Sequence, residues 1–180
     1  YNVIICQSND SLAKEKLNLK TLLAAQVDGI FASYAKETVN FDHFRDVENQ
    51  GIPLILFDRM QGSFDVDTVV VDDYLGAYKA TEHLLEQGCT RIAHFSGPYN
   101  VSIYRDRQRG YEDALRSYSI PIEPELIFNS DLKLDSGLEI GKKISVMKKL
   151  PDGIFSSSDY AAIGAIQILK KKGFHIPDDI

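Results

Sequence analysis

The sequence predicts an α/β protein of two lobes, each a parallel sheet flanked by helices. Three observations predict it: apolar runs of strand length alternate with segments of helical period, the runs are nearly continuous in apolar residues, and one of them recurs. Strand–helix alternation is the mark of a parallel sheet built from crossover units. Continuous apolar runs mark strands covered on both faces, because a strand with one wet face alternates.

Strands are expected at residues 2–6, 29–33, 53–57, 68–71, 91–96, 126–129 and 153–157. Between them lie the helices. Asp10 or Ser11 can cap the first, which runs to about Ala25 with Leu12, Leu19, Leu22 and Leu23 on one face. A shorter helix over 41–50 is stopped by Gly51 and then Pro53. Asp72 or Asp73 can cap a helix that runs to Gln87, with Gly88 just past its end. Helices are also expected over 105–118, 136–149 and 160–172, the last stopped by Gly173.

The recurring run is Val27-Asp28-Gly29-Ile30-Phe31-Ala32-Ser33, echoed by Pro151-Asp152-Gly153-Ile154-Phe155-Ser156-Ser157. Each copy follows a helix and leads, some residues on, to a glycine–proline turn: Gly51-Ile52-Pro53 and Gly173-Phe174-His175-Ile176-Pro177. The plain alternative is coincidence, since Asp-Gly is a common helix-to-strand turn. The sharper reading is two similar halves, residues 1–88 and 89–180. Open α/β sheets bind ligands at the carboxyl ends of their strands, so a cleft between two such lobes is the expected site.

Composition narrows the function. Of 180 residues, 44% are hydrophobic and 26% charged, enough for a packed core. The net charge of −6 argues against this segment gripping a phosphate backbone, which needs a basic face. Cys6 and Cys89 form no CxxC pair and suggest no disulfide framework, as in a reducing compartment. The chain opens without the basic and apolar regions of a signal peptide, and no stretch reaches the roughly 20 apolar residues of a membrane span. A cytoplasmic protein with no membrane partner is expected.

Catalytic patterns are sparse. The sequence has no GxSxG, GxxxxGK[ST] or GxGxxG motif, and His43, His83, His94 and His175 lack metal-ligand spacing. Each histidine reads as a solvated or core-edge imidazole, and no catalytic residue, metal or cofactor is expected. What stands out is polar residues where strands end. Asp58-Arg59 follows 53–57, Asp72-Asp73 follows 68–71, and Ser158-Asp159 follows 153–157. Arg105, Arg107 and Arg109 come just after the loop 97–102. Carboxylate and guanidinium groups on rigid strand ends offer planar, often bidentate hydrogen bonds, which suit a polyhydroxylated ligand. Taken singly, each is equally explained as a helix cap, a surface charge or an ion pair.

These residues also resemble a known family. Asp72-Asp73-Tyr74-Leu75-Gly76-Ala77, Thr81-Glu82-His83-Leu84-Leu85 and Gly88-Cys89-Thr90-Arg91-Ile92-Ala93, closed by Gly97-Pro98, are similar to the core of the lactose-repressor/galactose-repressor (LacI/GalR) family of bacterial transcription factors. Val27-Asp28-Gly29-Ile30, Ile52-Pro53-Leu54-Ile55 with Asp58-Arg59, Arg107 ahead of Gly110-Tyr111, Ser158-Asp159 before Ala162-Ile163-Gly164-Ala165, and Ile176-Pro177-Asp178-Asp179-Ile180 extend the likeness over the whole chain.

The resemblance implies a periplasmic-binding-protein-like type I fold of two Rossmann-like lobes, here incomplete at both termini, with a small effector in the cleft, a sugar by analogy. It nominates Asp58, Arg59 and Arg107 as ligand contacts, joined by Asp72 and Asp159 at the strand ends. It also nominates Leu132, where the family often has a cleft-lining aromatic, and Ser158, where it often has asparagine. It further implies a non-enzymatic repressor acting as a homodimer, which touches DNA only through an N-terminal helix-turn-helix that this sequence lacks. A periplasmic sugar-binding protein of a transport system shares the fold and is the alternative. An enzyme on the same scaffold is a third reading.

Overall fold

The computed structural model describes residues 2–59 and 64–180. The chain divides into two compact units, 1–71 and 72–180. Each contains a three-stranded, all-parallel sheet, in the orders β1-β2-β3 and β5-β4-β6.

The first unit comprises α1 (Leu12–Ala24), β1 (Ile30–Ala32), α2 (Asp42–Asn49), β2 (Leu54–Phe57) and β3 (Asp67–Val69). Ile30 pairs with Leu54, and Phe57 with Val69. Ile30, Leu54 and Leu56 share one face of the sheet and pack with Leu19 of α1 and Phe44 and Val47 of α2. Phe41, Phe44 and Phe64 stack beside them, with ring centroids 5.7 to 6.4 Å apart. Burial on both faces is not what this unit shows. Phe31 and Val69, on alternate positions, are 74% and 66% exposed. Both helices supply their apolar stripes to the Ile30/Leu54/Leu56 face, so the opposite face has no helix among the described residues of this unit.

The strand expected at 2–6 is also absent. Val3, Ile4 and Ile5 are exposed and join no ladder. An apolar run becomes a strand only where a neighbour takes its N–H and C=O groups.

The second unit comprises α3 (Asp73–Glu86), β4 (Ile92–Ser96), α4 (Ser102–Ser117), a 3₁₀ turn (Pro124–Leu126), β5 (Ile127–Asn129), α5 (Leu134–Ile144), β6 (Gly153–Ser156) and α6 (Asp159–Lys171). Here the sheet is covered on both faces, and every residue of the central β4 is buried. Ile92 turns toward Leu85 of α3 and Tyr111, Ala114 and Leu115 of α4. Ala93 and Phe95 turn the other way, toward Ile140 and Ile144 of α5 and Ala161, Ala165 and Leu169 of α6.

The units therefore meet in sequence at Val71/Asp72, and not at residue 88 as the repeat suggested. The reason is α3. Its buried stripe of Ala77, Thr81 and Leu85 belongs to the second core, and Gly110 of α4 lets the two helices touch backbone to backbone at Tyr74.

Among the described α-helices only α3 has a side-chain N-cap. Asp72 caps α3 by accepting from Leu75 N at 2.8 Å, and Gly88 and Gly173 sit past α3 and α6 at φ +95° and +92°. Helix α1 starts after Ser11, yet the Ser11 hydroxyl makes no capping bond. Glu37 Oε2 takes the Leu12 N–H instead, at 2.9 Å. Helix α5 stops at Ile144, short of Lys149, where Ser145 Oγ turns back to donate to Lys142 O at 2.8 Å.

His94, inside β4, is fully buried and stacks on Tyr111 and Phe155 with centroids 4.8 and 4.9 Å away. Burial drives its pKa down to about 4, helped by the Arg107 charge and opposed by a hydrogen bond with Phe155 O. The folded unit thus takes up this proton only near pH 4, whereas the unfolded chain takes it up near 6.5. Stability from this group is complete above about pH 6.5 and falls as the pH drops toward 4, by roughly 3 kcal/mol in all. Urea titrations across that window should show a shallower slope for His94→Phe than for the unsubstituted protein. Parallel slopes would contradict the assignment.

Polar strand ends as a candidate ligand site

In the first unit, β2 runs directly into Asp58, which adopts φ +68° and so turns the chain sharply. The carboxylate accepts from Ser33 Oγ, beyond the end of β1, at 3.3 Å, and remains 48% exposed. Arg59 is drawn inward. Its Nη1 donates to Asp10 Oδ1 at 2.7 Å and to Tyr34 O at 2.5 Å, and its side chain is only 12% exposed. Burial works against the charge of Asp10, but the hydrogen bond and charge of Arg59, with Lys36 nearby, hold the carboxyl below its ordinary range. A cavity of about 400 Å³ opens beside Asp10, Glu15 and Ser33.

Behind this loop lies a group that the reading of the sequence missed. Glu15 of α1 is buried, and its carboxylate accepts from Ala35 N at 2.5 Å and Thr38 Oγ1 at 2.6 Å. The half-buried His43 brings Nε2 within 2.7 Å of the same carboxylate. The signal was present: Leu12, Glu15, Leu19 and Leu22 share one helical face, so a carboxylate stands in an apolar stripe.

In the second unit Arg107, Leu132 and Ser158 make polar contacts at the strand ends, in two separate sets. Arg107 Nε donates to Asp73 Oδ1 at 2.8 Å, its Nη2 lies 2.7 Å from the same oxygen, and its Nη1 donates to Ser157 O at 2.8 Å. Of the acidic pair at the start of α3, Asp73 is therefore the partner of Arg107, and Asp72 is the cap. Ser158, just before α6, donates from Oγ to Leu132 O at 3.2 Å. The Leu132 amide donates to Ser130 Oγ at 3.1 Å. The Leu132 side chain is in the core, 3% exposed, so only its backbone is available to polar partners, and the expected lining side chain is absent from the strand ends. Asp159, the first residue of α6, is exposed.

A larger cavity of about 670 Å³ in this unit lies along β6 and α6 among Ile154, Ile166, Leu169 and Ile180. Its lining is mostly apolar but includes His83, Gln87 and Asp152, with Ser156 from the strand ends. Among the described residues no three His, Cys, Asp or Glu side chains are grouped to hold a metal ion, and no helix is long and apolar enough to cross a membrane. What the polar sets offer a ligand is hydrogen-bond donors and acceptors held at strand ends.

Comparison with known proteins agrees with this geometry. The family model described as periplasmic binding proteins and sugar binding domain of LacI family matches residues 1–180. The ribose operon repressor of Halalkalibacterium halodurans is 31% identical over the whole chain. The HTH-type transcriptional repressor PurR of Actinobacillus pleuropneumoniae is 28% identical over 180 residues. The chain spans about half the length of these two relatives, 52% and 53%. The crystal structure of the transcription regulator CcpA of Lactococcus lactis superposes with a TM-score of 0.87 at 26% identity, over all of this chain and 65% of that one. With two parallel α/β units, polar strand ends and a family match from first residue to last, this chain belongs to the LacI family, as its effector-binding, periplasmic-binding-protein-like domain.

Proposed function

We propose that the chain senses a small, sugar-like effector for a cytoplasmic transcription repressor that works as a homodimer. The observation that carries this reading is Arg107, held by Asp73 and the Ser157 carbonyl beside the Leu132–Ser158 contact. A guanidinium fixed in this way presents its remaining N–H groups in one orientation, as recognition of ring hydroxyls requires. Asp58 and Arg59 in the first unit, and Asp72, Arg107, Ser158, Asp159 and the Leu132 backbone in the second, are the contacts in this reading. The name of the ribose operon repressor supports a sugar as the ligand class.

Binding makes and breaks no covalent bond. It favours one of two conformations by its differential affinity for them, which alters operator affinity at a distance. With a net charge of −6, these residues leave the DNA contact to a helix-turn-helix elsewhere in the protein.

A thermal-shift screen of sugars and nucleobases on the full-length protein tests this, because a ligand that binds only the native state raises its melting temperature. Arg107→Ala is expected to weaken binding of any hit by about tenfold or more. An unchanged shift in the variant would remove Arg107 from the site.

A further inference from the structure

Resting on the effector-binding reading above, we infer that the ligand is uncharged and rich in hydroxyl groups: a free sugar, not a sugar phosphate or another anion. Proteins hold anions with cationic side chains that lack a carboxylate partner and with open helix N-termini. At these strand ends the cations are already paired with the protein's own carboxylates, and most helix starts carry acidic residues of their own.

The cations come first. Arg59 is bound to Asp10 and buried against Tyr34 O. Lys36 lies 3.5 Å from the same Asp10, and Lys133 lies 3.2 Å from Asp131. Arg107 has both Nε and Nη2 on Asp73. Arg105, two residues earlier on α4, lies about 200° round the helix axis from Arg107, and its Nε is 3.7 Å from Asp106.

The helix starts carry the same negative charge, although among the described residues a carboxylate accepts a first-turn N–H only at α1 and α3. The first N–H of α1 is taken by Glu37, and α3 is capped by Asp72 and continues with Asp73. At the start of α5, Asp131 accepts from Lys133 N and Ser136 Oγ, and Asp135 lies in the first turn. Helix α6 opens on Asp159. Helix α4 has no acidic residue in its first turn, but Val101, Ser102, Ile103 and Tyr104 there are all buried.

Asp58, Asp72 and Asp159 remain exposed at the strand ends, where they accept from hydroxyls and repel phosphate. In the second unit the balance is six carboxylates, Asp72, Asp73, Asp106, Asp131, Asp135 and Asp159, against three cations, Arg105, Arg107 and Lys133. A neutral ligand meets acceptors and fixed N–H donors there. An anion meets a surplus of negative charge.

The test is differential scanning fluorimetry on the full-length protein, at low and high salt, with free pentoses and hexoses beside their own monophosphate esters and inorganic phosphate. A free sugar should raise the melting temperature, its ester should not, and the sugar's shift should be indifferent to salt. An ester that binds as tightly as its sugar, or alone, overturns the inference and leaves effector binding standing, and so does a nucleobase that binds where no sugar does. Stabilisation by no compound in the screen overturns both.

Asp159→Asn removes an exposed charge that the fold does not use. It should improve ester binding relative to sugar by roughly fivefold. An unchanged ratio in that variant also overturns the inference.

Discussion

Gly137→Val is expected to destabilise the second unit by about 3 kcal/mol or more, measured as a lower midpoint in urea with an unchanged slope. Helices α5 and α6 run side by side with backbone against backbone. A Cβ on Gly137 would meet the backbone of Ala161, with Cα and the carbonyl carbon 2.8 Å away, and one on Gly164 would meet Leu138 N at 2.7 Å. Neither neighbour is the movable end of a side chain, so the helices must part, and with them Ile140, Ile144, Ala165 and Leu169. Gly141 has slightly more room, its nearest neighbours being 3.0 Å away, so Gly141→Ala should cost less. Gly76, in α3, has nothing within 4 Å, and Gly76→Ala should stabilise by about 0.5–1 kcal/mol through helix propensity. A reversed order among these variants would contradict the helix contact described here.

Glu15→Ala is the matching experiment in the first unit, with an expected cost of about 3 kcal/mol. The loss exceeds that of a surface carboxylate because three groups turn toward Glu15: the Ala35 N–H, the Thr38 hydroxyl and the His43 imidazole. Without the carboxylate, the buried Ala35 N–H would have no acceptor, and the loop 33–38 would lose its anchor on α1. Tyr34 O, which Arg59 reads, belongs to that loop. Hydrogen exchange at Ala35 should therefore accelerate in the variant even where the sheet amides of β1 and β2 stay protected. Glu15→Gln should fall between, because its amide places donors opposite donors. Equal exchange at Ala35 in variant and parent would show that Glu15 does not hold the loop.

Local signals carried most of the fold. The glycines past α2, α3 and α6 lie at positive φ, and Gly51, Gly88 and Gly173 mark those ends in the sequence because few other residues adopt that conformation without strain. The continuous apolar run at 91–96 does become a strand buried on both faces. The run at 2–6 looks much the same and forms no ladder, since a ladder depends on a neighbouring strand and not on the run itself. The repeat at Asp28-Gly29 and Asp152-Gly153 leads into β1 and β6, yet it misplaced the division between the units, because packing assigns α3 forward to α4.

The strand ends were legible as a list and not as partners. Asp58, Arg59, Arg107, Ser158 and Asp159 are where the alternation of elements puts them. That Arg59 reaches Asp10 and Arg107 reaches Asp73 could not be read, for these pairs join residues 49 and 34 apart. No period in a sequence records such pairing. Leu132 could not be placed from the sequence: its side chain packs in the core, at a backbone φ of +59°.

The carboxylates at the starts of α1, α3, α5 and α6 have an evolutionary consequence. Each comes from a different stretch of chain, namely Glu37, Asp72-Asp73, Asp131 with Asp135, and Asp159. A descendant of this sequence that adopted a negatively charged signal molecule would have to alter several of them, and changes at Glu37, Asp72 or Asp73 would also remove a helix-start hydrogen bond or the anchor of an arginine. Drift at one position leaves the others in force. The preference is stored redundantly, and single mutations should erode it gradually without reversing it.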